Sequence, residues 1–274
     1  MPHAAVPEAS GAVVGGSGSF ASAFPVGLHD DARVLESELV FDTPWGDSPP
    51  FSLFELEGER CLHVKLHGWR QGVSRGRASR QVFSVLHRAG VQHVLSDAGV
   101  GSLNALLDPG DLVIADDFVD MTTQRDDQGA VVGEHLLIMR EPVCAAGREA
   151  LEAAARRLAP GRRLFARGVY VVTEGPRFES PAEVRFLRTL GDIVGQSFTP
   201  EVWLARDIGA CYAGVYVVVN HAEGVAGEWE HEELARIFRD DADLMGRILL
   251  AALAAWPRGS ACRCRELRKP TLLR

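Results

Sequence analysis

Residues 168–191 read GVYVVTEGPRFESPAEVRFLRTLG, and the order of residue types along them decides the fold. The first six positions are apolar and largely β-branched, without the polar alternation of a half-exposed strand, which predicts a strand buried on both faces. Gly175 and Pro176 punctuate the chain. From Ser180, SPAEVRFLRTLG has helical spacing and closes on Gly191. A buried strand thus delivers an aromatic ring and a carboxylate into a turn before a helix.

The same alternation runs outward in both directions. Strands are predicted at AVV (12–14), SLFEL (52–56), CLHVKL (61–66), VQHVLS (91–96), DLVIADDFV (111–119) and AGVYVVVN (213–220). Helical spacing marks RASRQVFSVLHRAG (77–90), REALEAAARRLA (148–159) and PEVWLARDIG (200–209). Between Glu230 and Trp256 the apolar residues fall on one stripe, which predicts one packing helix. Strands alternating with helices imply a single α/β domain with a mixed, mostly parallel central sheet flanked by helices, its ligand beyond the carboxyl ends of the strands. The expected boundaries are a flexible tail over 1–11, a domain over 12–256 and a loose basic tail over 257–274.

Composition narrows the function. Of 274 residues, 46% are hydrophobic and 24% charged, as in an ordinary globular chain. A net charge of -8 argues against a nucleic-acid partner, which needs a positive face. No apolar run is long enough for a membrane span, and the N-terminus lacks a signal-peptide pattern, so cytoplasmic residence is expected. Five cysteines do not make a disulfide framework. Cys61, Cys144 and Cys211 read as core residues. Cys262 and Cys264 offer only two of the four ligands zinc requires, so no metal is expected.

Five strand-end segments are candidates for chemistry: Gly15-Gly16-Ser17-Gly18, LSDAGVGSLN (95–104), VTEGPRFES (172–180), GQSFTPE (195–201) and VVVNHAEG (217–224). The first suits an anion, because glycines admit close backbone approach and serine adds a donor, although Gly-Ser turns are also common in loops without ligands. In this order and spacing, and above all in FDTPWG (41–46), PGDLVIADDFVDMTTQR (109–125) and TEGPRFESPAEVRFLRTLG (173–191), the chain resembles the trimeric purine nucleoside phosphorylase family, most closely its methylthioadenosine phosphorylase branch. The resemblance runs from about Val13 to Trp256. It implies a homotrimer that cleaves a purine N-glycosidic bond with neither metal nor organic cofactor, and with inorganic phosphate as the family's co-substrate.

Residue by residue, the resemblance makes Phe178 the ring stacked on the purine, with Glu179, Asn220 and Ala222 completing the base site. Glu179 and Asn220, with His67, are the candidate catalytic residues. A carboxylate accepts from N1–H of a 6-oxopurine, and an amide both donates to O6 and accepts from a protonating N7. The adenine-selective branch carries a small hydroxyl residue after the Phe and two aspartates at the strand end, so 6-oxopurines are expected here. Glu179 has a second reading, as a carboxylate at the start of the following helix.

The ribose side falls on Gln196, where the family has Met, and on Ser197, followed by a bulky Phe198. The phosphate side falls on Ser17, Leu66, His67, Ala98, Gly99 and Ser197. The family's Arg-His-Gly is Leu66-His67-Gly68 here, and its hydroxyl residue aligns with Ala98 or Asp97, an aspartate being repulsive to phosphate. Arg70, Arg75, Arg77 and Arg80 are the candidate replacement cations. His67 reads equally well as a structural histidine. Three functions follow: a phosphorylase with a substituted arginine, a nucleosidase in which water or another nucleophile replaces phosphate, and a non-catalytic purine-binding homologue.

Overall fold

In chain order the strands are β1 (Gly11–Gly15), β2 (Ala32–Leu39), β3 (Phe51–Leu56), β4 (Glu59–Lys65), β5 (His93–Ser102), β6 (Leu112–Val113), β7 (Asp117–Asp120), β8 (His135–Leu137), β9 (Leu164–Phe165), β10 (Val169–Val172), β11 (Ile193–Gly195), β12 (Cys211–His221) and β13 (Arg268–Pro270). The helices are α1 (Arg75–Ala89), α2 (Ala145–Leu158), α3 (Pro181–Leu187), α4 (Glu201–Ile208), α5 (His231–Asp240) and α6 (Ala242–Ala255). The structure, a computed structural model, describes residues 5–67, 72–123, 130–257, 259 and 262–271.

One large sheet runs β2-β3-β4-β1-β5-β11-β10-β7, with β12 joined to β5 and β6, and β9 joined to β6. Most of its ladders are parallel; β2–β3, β3–β4, β5–β11 and β6–β12 are antiparallel. The expected mixed, mostly parallel sheet is thus present. Its centre is apolar on both faces because helices cover it: β1 and β10 are buried almost throughout, as is β12 up to its last residue.

The site follows from one detail of register. β5 pairs with β1 through His93–Ser96 and with β11 only at Gly101 and Ser102, while β12 accompanies its whole length. Residues 97–100 therefore lack a ladder partner on the β1 side, and the sheet opens there. The loops after β1, β4, β10, β11 and β12 converge on that opening.

Local chemistry fixes the helices around it. Ser74 caps α1 by accepting from the Arg77 amide, and Gly90 ends it with φ of 76°. At α3, Ser180 accepts from the Glu183 amide while Glu183 reaches back to the Ser180 amide, a capping box.

Two expectations are corrected. The predicted helix over 230–256 breaks at Asp241, which caps a separate α6 and meets the Arg162 guanidinium with both carboxylate oxygens. That buried carboxylate, 3% exposed, fixes the break. The predicted strand over 111–119 splits, because β6 pairs with β12 and β9 whereas β7 pairs with β10. Two contacts lie near the ends of the described residues. Ser10 bridges the sheet through its amide to Arg60 and its carbonyl to Gln92, and β13 pairs antiparallel with β8. Among the described residues no helix is long and apolar enough to cross a membrane.

Candidate active site

A cavity of about 480 Å³ occupies the opening beside β5. Ala98, Gly99, Val100 and Gly101 form its floor. Ser17, Leu66, His67, Ala98, Gly99, Phe178, Glu179, Gln196, Ser197, Asn220 and Ala222 line it, supplied by β5, β12 and the loops after β1, β4, β10, β11 and β12.

The side where the sequence places the base is built by the loop after β10 and by β12. The register of β12 slips between Val218 and Asn220, a bulge that sets Asn220 opposite Gly101. Asn220 is 4% exposed and donates through Nδ2 to the His221 carbonyl at 2.8 Å, and among the described residues its second N–H and Oδ1 are uncommitted. Glu179 is mostly buried, and its Oε1 accepts from Thr173 Oγ1 at 2.5 Å. The alternative role for Glu179, as the carboxylate of the α3 start, belongs instead to Glu183. The Phe178 ring remains 55% exposed and meets Trp229 edge-on at 5.3 Å. Trp229 in turn donates to Glu223, which also lines the cavity beside Ala222. Sequence reasoning passed over Glu223, Trp229 and Phe238, because only the fold brings α5 and the loop before it against β5. Phe238 packs so tightly on Gly99 that a Cβ there would lie 2.3 Å from its ring.

On the ribose side, Gln196 Nε2 donates to the Arg177 carbonyl at 3.1 Å, and Ser197 Oγ lies 3.0 Å from Tyr170 Oη. Phe198 does not enter the cavity. It is fully buried among Phe118, Tyr170, Tyr212 and Tyr216, so it is a core residue rather than a remodelled sugar contact.

The anion side has an unexpected arrangement. Asp97 is fully buried and turned away from the cavity, its carboxylate accepting from the Gly16 amide (2.9 Å), the Ser19 amide (2.6 Å) and Ser19 Oγ (2.9 Å). The glycine loop thus cradles an internal carboxylate. Gly16 is required because a Cβ there would stand 1.9 Å from the Asp97 carbonyl. Of the two residues left open by the sequence, Ala98 is the one that lines the cavity. Leu66 is buried beside it, and Ser17 Oγ accepts the Gly99 amide at 2.9 Å.

His67 is held on both ring nitrogens: Nδ1 lies 3.0 Å from the Asp97 carbonyl and Nε2 lies 2.5 Å from Glu201 Oε1. Both partners are acceptors, so the pair holds a proton on each nitrogen or one on the Glu201 carboxyl. Burial alone lowers the His67 pKa, but Glu201, by charge and hydrogen bond, and Asp97 outweigh it and hold the imidazole above its ordinary value. For Asp97 burial dominates and pushes the carboxyl up, against the donors of Gly16 and Ser19 and the charge of His67. Glu201, 2% exposed, also faces Ser96 Oγ and receives the Tyr212 hydroxyl at 3.3 Å. It closes the segment GQSFTPE, which sequence reasoning singled out without giving its last residue a role.

The replacement cations are mostly engaged elsewhere. Arg75 lines the cavity, but its guanidinium donates to the carbonyls of Thr173, Gln196 and Thr199. Arg77 donates to the Trp45 carbonyl; Arg80 donates to the Gly76 carbonyl and lies over the Trp203 ring. Gly68, Trp69 and Arg70 lie outside the described residues.

The sequence profile described as the phosphorylase superfamily matches residues 21–254. A 6-oxopurine nucleoside phosphorylase of Pyrococcus furiosus is 32% identical over 94% of this chain and 97% of its own. An S-methyl-5'-thioadenosine phosphorylase of Pyrococcus horikoshii is 29% identical over 94% and 96%. The solved structure of methylthioadenosine phosphorylase from Schistosoma mansoni in complex with adenine superimposes with a TM-score of 0.77 at 25% identity, covering 90% of this chain and 91% of that one. Sequence match, fold and the convergence of the strand-end loops agree, and the chain belongs to the phosphorylase superfamily.

Proposed function

We propose that this chain is a pentosyltransferase of the purine nucleoside phosphorylase type that cleaves the N-glycosidic bond of a 6-oxopurine nucleoside. The observation that carries the reading is the carboxylate of Glu179 and the amide of Asn220 in one cavity, beside the half-exposed Phe178 ring. As the glycosidic bond breaks, electron density moves onto the purine, and an amide donor toward O6 together with an acceptor for the proton on N7 stabilises the departing base. Glu179 accepts from N1–H, a pairing that adenine cannot offer. Relatives named as 6-oxopurine nucleoside phosphorylases, at 32% and 34% identity, support the same base class.

A second reading concerns the nucleophile and is favoured by the His67–Glu201 pair. A phosphate dianion on that side would meet the buried Glu201 carboxylate, which also lines the cavity, and neither Leu66 nor Ala98 donates a hydrogen bond from its side chain. Water meets no such repulsion. Attack by water at the ribose carbon would pass its proton to Glu201, backed by His67, while the purine leaves as the anion and takes its N7 proton from solvent.

The deciding assay is base release from inosine, guanosine and their 5'-methylthio analogues with and without phosphate. The phosphorylase reading expects release to depend on phosphate and to yield a sugar 1-phosphate; equal release without phosphate establishes hydrolysis. No release from any of them leaves a purine-binding protein and ends the enzymatic reading. A homotrimer completes the proposal, supported by the family resemblance and by the exposed Phe20, Phe178 and Phe186. Light scattering is expected to give three times the 29.7 kDa chain mass, and an active monomer would sink it.

A further inference from the structure

Four of the five cysteines, far apart in sequence, meet at one place. Cys144 is the N-cap of α2, Cys211 opens β12, and Cys262 and Cys264 lie in the C-terminal segment that leads into β13. Their four sulfur atoms all lie within 4.8 Å of one another, and Cys211 and Cys262 are 3.3 Å apart. None is bonded to another. A disulfide would bring two sulfurs to about 2.05 Å, whereas four thiolates around one ion at about 2.3 Å stand about 3.8 Å apart on the edges of a tetrahedron. The observed spacing, 3.3 Å for Cys211–Cys262 and within 4.8 Å for every pair, excludes a formed disulfide and brackets the tetrahedral edge. Cys144, Cys211 and Cys264 are buried and Cys262 partly so, which closes the site to substrate and solvent ligands. Cys262 and Cys264, two ligands along the chain, have Cys144 and Cys211 beside them in the fold.

The geometry points to a structural zinc site formed by Cys144, Cys211, Cys262 and Cys264, a site that ties the C-terminal segment to the body of the domain. Four thiols bind one Zn²⁺ by releasing four protons, and the product carries two negative charges. Its surroundings suit that charge. Cys144 stands at the positive end of α2, whose first turn has no acidic residue. Arg263 and Arg265 flank Cys264 along the chain. Closed four-thiolate sites of this kind serve structure rather than catalysis, and none of the four cysteines lines the active-site cavity. What the ion would hold is visible: β13 pairs with β8, and β8 is anchored near α4 by Arg206, which donates to the carbonyls of Ile138 and Glu141.

The test uses the full chain purified without chelator. Elemental analysis is expected to find one zinc per chain, and replacing zinc with cobalt(II) should give the thiolate charge-transfer and d–d bands of a tetrahedral four-sulfur site. The double variant Cys262→Ser/Cys264→Ser should lose the zinc; because that variant could simply misfold, the cobalt spectrum of the unaltered protein stands as the independent reading. All five thiols should react once the protein is denatured with chelator. Fewer than five reactive thiols, meaning disulfides, overturns the proposal, as does a stoichiometric metal other than zinc, or failure of the metal-free, reduced protein to take up one equivalent of zinc chloride. Base-release activity does not enter this test, so its outcome is independent of the proposed reaction.

Discussion

In the proposed reaction, substrate chemistry turns on two residues, Asn220 and Leu66. Asn220→Asp exchanges an amide that can donate to O6 for a carboxylate that can only accept. The ratio of kcat/KM for adenosine over inosine derivatives is expected to rise roughly tenfold or more, the value of one hydrogen bond to a charged group. A parent enzyme that already prefers adenosine derivatives would refute the base assignment. Leu66→Arg restores a guanidinium where the family's arginine stands. Phosphate binding, followed by calorimetry, should tighten by about 1.5–3 kcal/mol. If the unaltered protein already binds phosphate tightly and shows no hydrolysis, a cation elsewhere serves the purpose, and Arg75 is the described candidate that lines the cavity.

Elements are positioned here by small polar devices more than by propensity. The break between α5 and α6 is one example, since nothing in the apolar stripe from Leu234 to Leu253 requires it. Asp241 caps α6, and its carboxylate meets Arg162, which also donates to the Gly110 carbonyl. The break orients α5, whose Phe238 and Leu234 wall the cavity. Asp241→Ala leaves Arg162 without its counter-charge; the carboxylate makes no hydrogen bond to the amides of α6, so the loss is that of the ion pair. Because Arg162 is about one-third exposed, the cost should lie near 2–3 kcal/mol rather than at the upper range for a buried pair. Urea denaturation measures it, and a loss below about 0.5 kcal/mol, the level of an ordinary surface change, would show that the break is held by other contacts.

For the whole molecule, the buried His67–Glu201 pair makes stability depend on pH. His67 has a raised folded pKa, so its contribution is complete below the unfolded value of 6.5 and is lost as pH rises through the folded value. Asp97, also raised, acts with the same sign in a lower window, from 3.8 upward. Glu201→Gln removes the charge that elevates His67. The difference in Tm between parent and variant should therefore shrink as pH increases beyond 6.5, as scanning calorimetry would show. A difference independent of pH would mean that the pair is neutral.

Much of this protein is written along the chain. Buried strands such as 168–173 and 213–220 declare themselves because a run of β-branched residues without alternation has no other soluble solution than a covered sheet. Glu183 and Ser180 fix the start of α3 within four residues, and the base-side residues follow at strand ends. The same local logic could not separate Ala98 from Asp97, find Glu201 as the partner of His67, expel Phe198 from the sugar pocket, or join Cys144 and Cys211 to Cys262 and Cys264. Those choices rest on contacts between residues distant in sequence, set by where β5 loses β1 as a neighbour, where β12 bulges, and where β13 returns to β8. Periodicity reports which face of an element is buried; which groups meet across the buried space is decided only when the elements pack.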